Sequence, residues 1–247
     1  MTDFTGVVLD LEMTGLNPKT DKIIEIGAIK VQNGKMIDTF GKLICPGRLL
    51  SEHTKNVTNI TDEMLRNQPD FAAITDELMT FIGEDVLLGH HILKDYSFLK
   101  RSILNVLPKG SSFERSGIDT LKIARSLLPA EQKKTLVALC ELYEIEHHPH
   151  RAIDDAKATF LLYEKLWQQF GDRHKDKFSP YALNYQVKRE APIMQKQIEQ
   201  IERFLKDNHI DCPYDISMMT KNEASRYYDQ LKSGVTSTSG KEFHQGK

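Results

Sequence analysis

The sequence predicts an α/β domain built on a mixed five-stranded sheet flanked by helices, followed by a small C-terminal helical extension. Three strand-like segments joined by short turns open the chain, and apolar strand-like runs then alternate with amphipathic helical segments. After residue 171 the visible periodicity is helical. A chain of 247 residues with 40% hydrophobic content can also bury a substantial core.

The first three predicted strands follow one another closely. Residues 7–11 are mostly apolar, and residues 23–31 are rich in β-branched side chains. The Asn-Gly pair at residues 33–34 is typical of a tight hairpin, so residues 35–44 are expected to form a third, antiparallel strand. These segments predict the antiparallel part of the sheet.

The middle of the chain alternates between helix and strand. Residues 46–56 are predicted to be irregular. Proline positions, capping residues and apolar periodicity define the remaining elements. Helices are predicted over residues 61–67, 71–82, 93–107, 120–128, 136–143 and 151–169, and strands over residues 86–90 and 116–119.

Composition changes divide the chain into four predicted segments. The α/β domain spans residues 1–171, and the charged residues 172–190 are expected to link it to a helical domain at 191–232. A Thr-x-x-Glu capping box at residues 220–223 opens a helix there. The polar residues 233–247 are expected to be disordered.

Charge, cysteine content and hydropathy exclude several classes of protein. A net charge of −2 excludes a uniformly basic nucleic-acid coat but not a nucleic-acid enzyme. Three scattered cysteines make a disulfide framework or a zinc site an unfavourable interpretation. The sequence has no apolar run of membrane-spanning length and no signal pattern, so a cytoplasmic protein is expected.

Asp10 and Glu12 are the first candidate site residues. They stand two positions apart at the end of the first predicted strand, so both carboxylates should point to one face. Neighbouring carboxylates repel one another, and a hard divalent cation can hold such a pair together. The alternative interpretation is a strand that simply reaches solvent.

Two further acids lie on the apolar faces of predicted helices. Asp95 shares a face with Leu99 and Ile103, and Asp155 shares one with Leu162. A buried carboxylate is costly unless a cation or hydrogen-bond donors meet it. Alternatively, Asp95 is simply a first-turn acid that the helix dipole favours.

A histidine precedes the second of these acids. Pro149 disfavours helix in the residue before it, which leaves His150 in a loop near the helix that carries Asp155. His150 is a candidate general base. Alternatively, His147, His148 and His150 form a surface cluster. Together, the four acids and this histidine suit two Mg²⁺ or Mn²⁺ ions and a base for phosphodiester displacement.

These residues resemble the DEDDh exonucleases, the group that includes the proofreading subunit of bacterial DNA polymerase III and ribonuclease T. The resemblance covers about residues 4–171, with the three motifs in order at residues 7–16, 89–99 and 150–156. It implies an RNase H-like fold and removal of nucleotides from 3′ ends. DNA is the expected substrate; the alternatives are an RNA-trimming or oligonucleotide-degrading enzyme and a non-catalytic binding module.

The resemblance also implies roles for individual residues. Metal ligands and catalytic acids would be Asp10, Glu12, Asp95 and Asp155, with His150 taking a proton from water. The residues expected at the terminal nucleotide are Met13, Thr14, Gly15 and Leu16. Met13, His91 and Lys94 depart from the family pattern. Proofreading would require a partner, such as a polymerase or another DNA-processing protein.

Overall fold

The computed structural model describes residues 2–212 and 215–237. The chain forms two compact units. The first comprises Met1–Pro46 with Leu50–Lys188, and the second comprises Gly47–Leu49 with Arg189–Lys247. Within the described part of the chain, no helix has the length and apolar character that a bilayer span requires.

A mixed sheet of six strands forms the centre of the first unit. Its strands are β1 (Gly6–Met13), β2 (Ile23–Gln32), β3 (Lys35–Leu43), β4 (Leu87–Gly89), β5 (Ser116–Asp119) and β6 (Tyr181–Ala182). They lie in the order β3-β2-β1-β4-β5-β6. β1, β4 and β5 are parallel to one another, whereas the β1–β2, β2–β3 and β5–β6 pairs are antiparallel. The predicted mixed sheet is confirmed.

The sixth strand is absent from the sequence prediction, which gave five. It lies in the segment that was expected to be a linker, after a 3₁₀ helix at Lys175–Phe178. Phe178 and Leu183 are both buried in the hydrophobic cores, and they anchor the chain along the sheet edge. A strand of two residues is too short to leave a periodic signal.

Helices cover both faces of the sheet. Those of the first unit are α1 (Glu52–Thr58), α2 (Asp62–Leu65), α3 (Phe71–Ile82), α4 (Ile92–Val106), α5 (Thr120–Leu127), α6 (Leu136–Leu142) and α7 (Ala152–Phe170). Alternate residues of β1 serve two cores: Leu9 joins α3 and α4 side chains, and Val8 joins α5, α6 and α7 side chains.

One local prediction was wrong, and one helix buries polar residues. Helix α1 occupies a segment that was expected to be irregular, because the Ser51 hydroxyl caps it by accepting from Thr54 N at 3.1 Å. On α4, the polar residues Ser97 and Arg101 are buried. The Arg101 guanidinium donates to the carbonyl of Lys19 at 3.2 Å, so tertiary contacts cover that part of the helix.

The second unit contains a helical pair, α8 (Gln195–Asp207) and α9 (Lys221–Ser237). Phe204 of α8 meets Tyr228 of α9 edge to face, with ring centroids 5.6 Å apart. The predicted capping box is confirmed, since Thr220 and Glu223 each bond to the main-chain N–H of the other. Helix α9 continues to Ser237, past the point where disorder was expected, and residues 238–247 lie outside the described chain.

Candidate active site

Strand β1 carries Asp10 and Glu12 near its C-terminal end. Leu9 and Leu11 are buried on one face of the strand, and the two acids alternate with them on the opposite face. Both acids are half-buried. The prediction that both carboxylates lie on one side of this strand is therefore confirmed.

Helix α7 brings a third acid to this strand. Asp155 is 7% exposed, as its position on the apolar face of the helix predicts. Asp10, Glu12 and Asp155 each offer a ligand atom, and these atoms all lie within 4.8 Å of one another. Three oxygen ligands at this spacing fit one hard divalent cation or a pair of them.

An ion pair between the buried Glu25 and the partly exposed Arg151 fixes the N-terminus of α7 on β2. Glu25 Oε1 accepts hydrogen bonds from Arg151 Nε at 3.0 Å and from Arg151 Nη2 at 2.9 Å. Glu25 Oε2 accepts one from Ala152 N at 3.0 Å. Gly27 permits the approach, because a Cβ there would lie 2.1 Å from the main-chain carbon of Ala152. Glu25 was not among the predicted site residues, although an acid inside the apolar run 23–29 is a visible anomaly.

Asp95 reaches the acids from the first turn of α4. It is 5% exposed, and its carboxylate accepts a hydrogen bond from the main chain of Leu11. The turn before α4 is held in place by Asp119, whose Oδ1 accepts from His91 N at 2.9 Å. Asp95 lies outside the group of three acids within 4.8 Å, but its charge acts directly on Asp10.

The acids raise one another's pKa values. Burial, followed by the charges of Asp95 and Asp155, raises the pKa of Asp10 well above its ordinary range. Burial and the charge of Asp155 raise the pKa of Glu12 to about 7. Burial likewise raises the pKa of Asp95 to about 7. The cluster resists carrying its full negative charge, which is the condition that a bound divalent cation relieves.

Two histidines of one loop contact Asp155. His150 is exposed, has a positive φ of 71°, and donates its main-chain N–H to Asp155 Oδ2 at 3.0 Å. The side chain of His147 is 4% exposed, and its Nε2 lies 2.5 Å from Asp155 Oδ1. His147 was predicted only as part of a surface cluster, because no local pattern indicates that this loop folds back onto α7.

The four residues expected at the terminal nucleotide differ in their environments. The side chain of Met13 is 8% exposed and packs in the hydrophobic core, and its contact with a nucleotide stays a prediction. The Thr14 hydroxyl accepts from Lys22 N at 3.0 Å, which closes the loop after β1. Gly15 lies against the Asp21 carboxylate, where a Cβ would come within 2.6 Å. Leu16 is 80% exposed beside them in sequence.

The fold and the sequence match known exonucleases. A family model described as Exonuclease (RNase T) matches residues 7–163. The chain is 31% identical to the DNA polymerase III subunit epsilon of Aquifex aeolicus over 176 residues, which cover 69% of this chain and 86% of that protein. It is 32% identical to the PolC-type DNA polymerase III of Thermotoga maritima over 250 residues, 96% of this chain but 18% of that protein.

A solved structure of Exonuclease X in complex with 5′ overhanging duplex DNA shares the fold. Its TM-score is 0.54 at 24% identity, and the match covers 67% of this chain and 92% of that one. The family match and the relatives' sequences define a protein of the exonuclease class. The chain belongs to the exonuclease family whose model it matches.

Proposed function

We propose that the protein is a metal-dependent 3′–5′ exonuclease that releases nucleoside monophosphates from single-stranded or frayed 3′ ends, with DNA favoured over RNA. The observation that carries this proposal is the convergence of the ligand atoms of Asp10, Glu12 and Asp155 within 4.8 Å. The charge of Asp95 also raises the pKa of Asp10. An all-oxygen set favours Mg²⁺ or Mn²⁺ over zinc. Two such ions supply an activated water and charge stabilisation at the phosphate when bound.

The protein's own groups have distinct roles in the proposal. Asp10 lies within reach of both Glu12 and Asp155, which suits a shared ligand, and Asp95 supports it from α4. His150 is the proposed general base. Its exposed position in the loop leaves the ring accessible to water, while its main-chain bond to Asp155 keeps the residue beside the acids.

The substrate contacts are proposed for the loop that follows β1. Leu16 offers an exposed apolar side chain that can pack against a base, a contact that tolerates any sequence. Gly15 and Thr14 would contribute close main-chain approach. We assign the chemistry to the domain at residues 1–171, which contains all the proposed catalytic groups, and no step to the helical residues 191–232.

DNA is favoured because the curated relatives include replicative polymerase proteins. We propose a polymerase or another DNA-processing protein as a partner for the same reason. The chain spans less than a fifth of the PolC-type relatives that it matches, so these assignments are proposals for the chain itself.

End-labelled DNA and RNA oligonucleotides test the proposal directly. With Mg²⁺ or Mn²⁺ the wild-type protein should shorten DNA from the 3′ end, and EDTA should stop it. Asp155→Ala should abolish turnover, because it removes one of three converging ligands. Asp154→Ala is the matched control, since the adjacent acid lies outside the cluster.

The same assay separates the alternatives. Faster shortening of RNA than of DNA would favour the RNA-trimming alternative. Binding of oligonucleotides without any shortening, with either metal, would contradict the enzyme and support a binding module. Equal activity in Asp155→Ala and Asp154→Ala would contradict the assignment of Asp155.

A further inference from the structure

The side chain of His147 makes a contact that the proposed mechanism does not use. Only 4% of the side chain is exposed, and its Nε2 lies 2.5 Å from Asp155 Oδ1. The next residue, His148, is exposed. One histidine of this loop is therefore buried against a proposed metal ligand while its neighbour faces solvent.

We propose that His147 is a positioning residue that fixes the carboxylate of Asp155 for a divalent cation. The inference rests on the proposed function, because it assigns a task toward the metal that Asp10, Glu12 and Asp155 would hold. His147 acts through Asp155 and makes no contact with substrate in this assignment.

The hydrogen-bond pattern indicates the direction of the contact. An ionised carboxylate only accepts hydrogen bonds, so the proton of this contact lies on His147 Nε2. The other oxygen, Asp155 Oδ2, accepts the main-chain N–H of His150 at 3.0 Å. Each carboxylate oxygen has lone pairs for more than one partner, so both contacts leave room for a cation.

Two hydrogen bonds, one to each oxygen, restrict the orientation of the Asp155 carboxylate more than a single hydrogen bond can. An aspartate side chain can rotate about two torsions, and its outer torsion is broad and soft. A single bond from His150 N would leave rotation about the Oδ2 contact open. The second bond from His147 determines the plane of the carboxylate, which is what a metal ligand needs to be preorganised.

Electrostatic repulsion makes this restraint necessary. The ligand atoms of Asp10, Glu12 and Asp155 lie within 4.8 Å of one another, and Asp155 is among the charges that raise the pKa of Asp10 and Glu12. Like charges at this distance push the side chains apart. A donor behind Asp155 opposes that movement, and β1 holds the other two acids by its strand geometry.

Mn²⁺ binding measured by calorimetry on the full chain tests the inference without relying on turnover. His147→Phe keeps a ring but removes the donor, and His147→Gln restores a donor of similar reach. We expect His147→Phe to weaken Mn²⁺ binding about 10–100-fold, the usual cost of losing a partner behind a metal ligand. His147→Gln should retain most of the affinity.

His148→Phe is the matched control, because it makes the same change at the exposed neighbour. It should bind Mn²⁺ as the wild type does. In the oligonucleotide assay, His147→Phe should need more Mn²⁺ for half-maximal turnover, whereas its KM for the oligonucleotide at saturating Mn²⁺ should match the wild type. A purely structural defect would not be restored by metal.

Two results would overturn the inference. Wild-type Mn²⁺ affinity in a folded His147→Phe variant would show that the contact does not position Asp155. Equal weakening in His147→Phe and His147→Gln would show that ring packing, not the hydrogen bond, is required. If His147→Phe does not fold, His147→Asn provides the same comparison, because its shorter amide does not reach Oδ1.

The wild-type protein separates this inference from the proposed function. Metal binding and shortening of DNA by the wild type, together with an unaffected His147→Phe variant, would remove only the role of His147. Absence of both Mn²⁺ binding and DNA shortening in the wild type would remove the proposed function, and the inference with it.

Discussion

Replacement of Glu12 by Gln should stabilise the metal-free protein at pH 8 while weakening its response to Mg²⁺. The pKa of Glu12 rises from 4.5 to about 7, with burial as the largest cause and the charge of Asp155 next. That rise corresponds to about 3 kcal/mol of destabilisation when Glu12 is ionised. For a protein of this size the melting temperature of Glu12→Gln should therefore rise by roughly 6–12 °C.

The sign follows from proton binding. Above pH 4.5 the unfolded chain releases the Glu12 proton, whereas the folded protein retains it up to about pH 7. The unfolded state binds fewer protons in this window, so the free energy of unfolding falls as pH rises from about 4.5 to 7. The advantage of Glu12→Gln should be small at pH 5, increase through this window, and be complete above pH 7.

Thermal unfolding in EDTA at pH 5, 6.5 and 8 measures this effect, with the same series in Mg²⁺. Wild-type protein should gain stability from Mg²⁺ at pH 8, and Glu12→Gln should gain less. Asp154→Asn serves as the control, because it removes an acid of the same helix as Asp155 but outside the cluster. A Glu12→Gln variant that is less stable than wild type at pH 8 in EDTA would refute the reasoning.

Two further predictions concern the packing of α7 against Gly27 and the proposed general base, His150. Gly27→Ala should cost about 1–3 kcal/mol in a denaturant titration and lower turnover, because the new Cβ would meet the Ala152 main chain at 2.1 Å. Gly41→Ala is the control, because Gly41 of β3 pairs with Gly27 and no described atom lies within 4 Å of its Cβ position. It should change neither the stability nor the turnover. Equal losses in the two variants would contradict the role of close packing at Gly27. His150→Ala should lower turnover about 10²–10⁴-fold in single-turnover assays, with Mn²⁺ affinity retained through its main-chain bond to Asp155, and unchanged turnover would exclude His150 as the base.

The sequence predicted those parts of the fold in which the spacing of apolar residues decides which side chains are buried. The alternation of β1, the hairpin at Asn33 and Gly34, and the inward faces that carry Asp95 and Asp155 are all found in the structure. In each case a repeat of two or 3.6 residues decides which side chains face the core.

Contacts between distant segments could not be predicted in this way. Glu25 bonds to Arg151 across 126 positions of sequence, and no pattern around either residue indicates the other. His147 reaches Asp155 because the loop turns through left-handed conformations at Glu144 and His150, which neither residue type signals. Helix α1 depends partly on a tertiary bond from the Thr54 hydroxyl to the Thr14 carbonyl at 2.9 Å.

Two segments far apart in sequence meet in the acid cluster: β1 supplies two of its acids and α7 supplies the third. A nascent or partly opened molecule in which α7 is not docked therefore lacks one of the three clustered acids. We expect such a molecule to leave nucleic acid intact, because Asp155 meets the other acids through the packing of α7, whose start lies against Glu25 and Gly27. Hydrolysis would thus report the docking of a single helix, and its loss on gentle heating should precede the loss of the sheet.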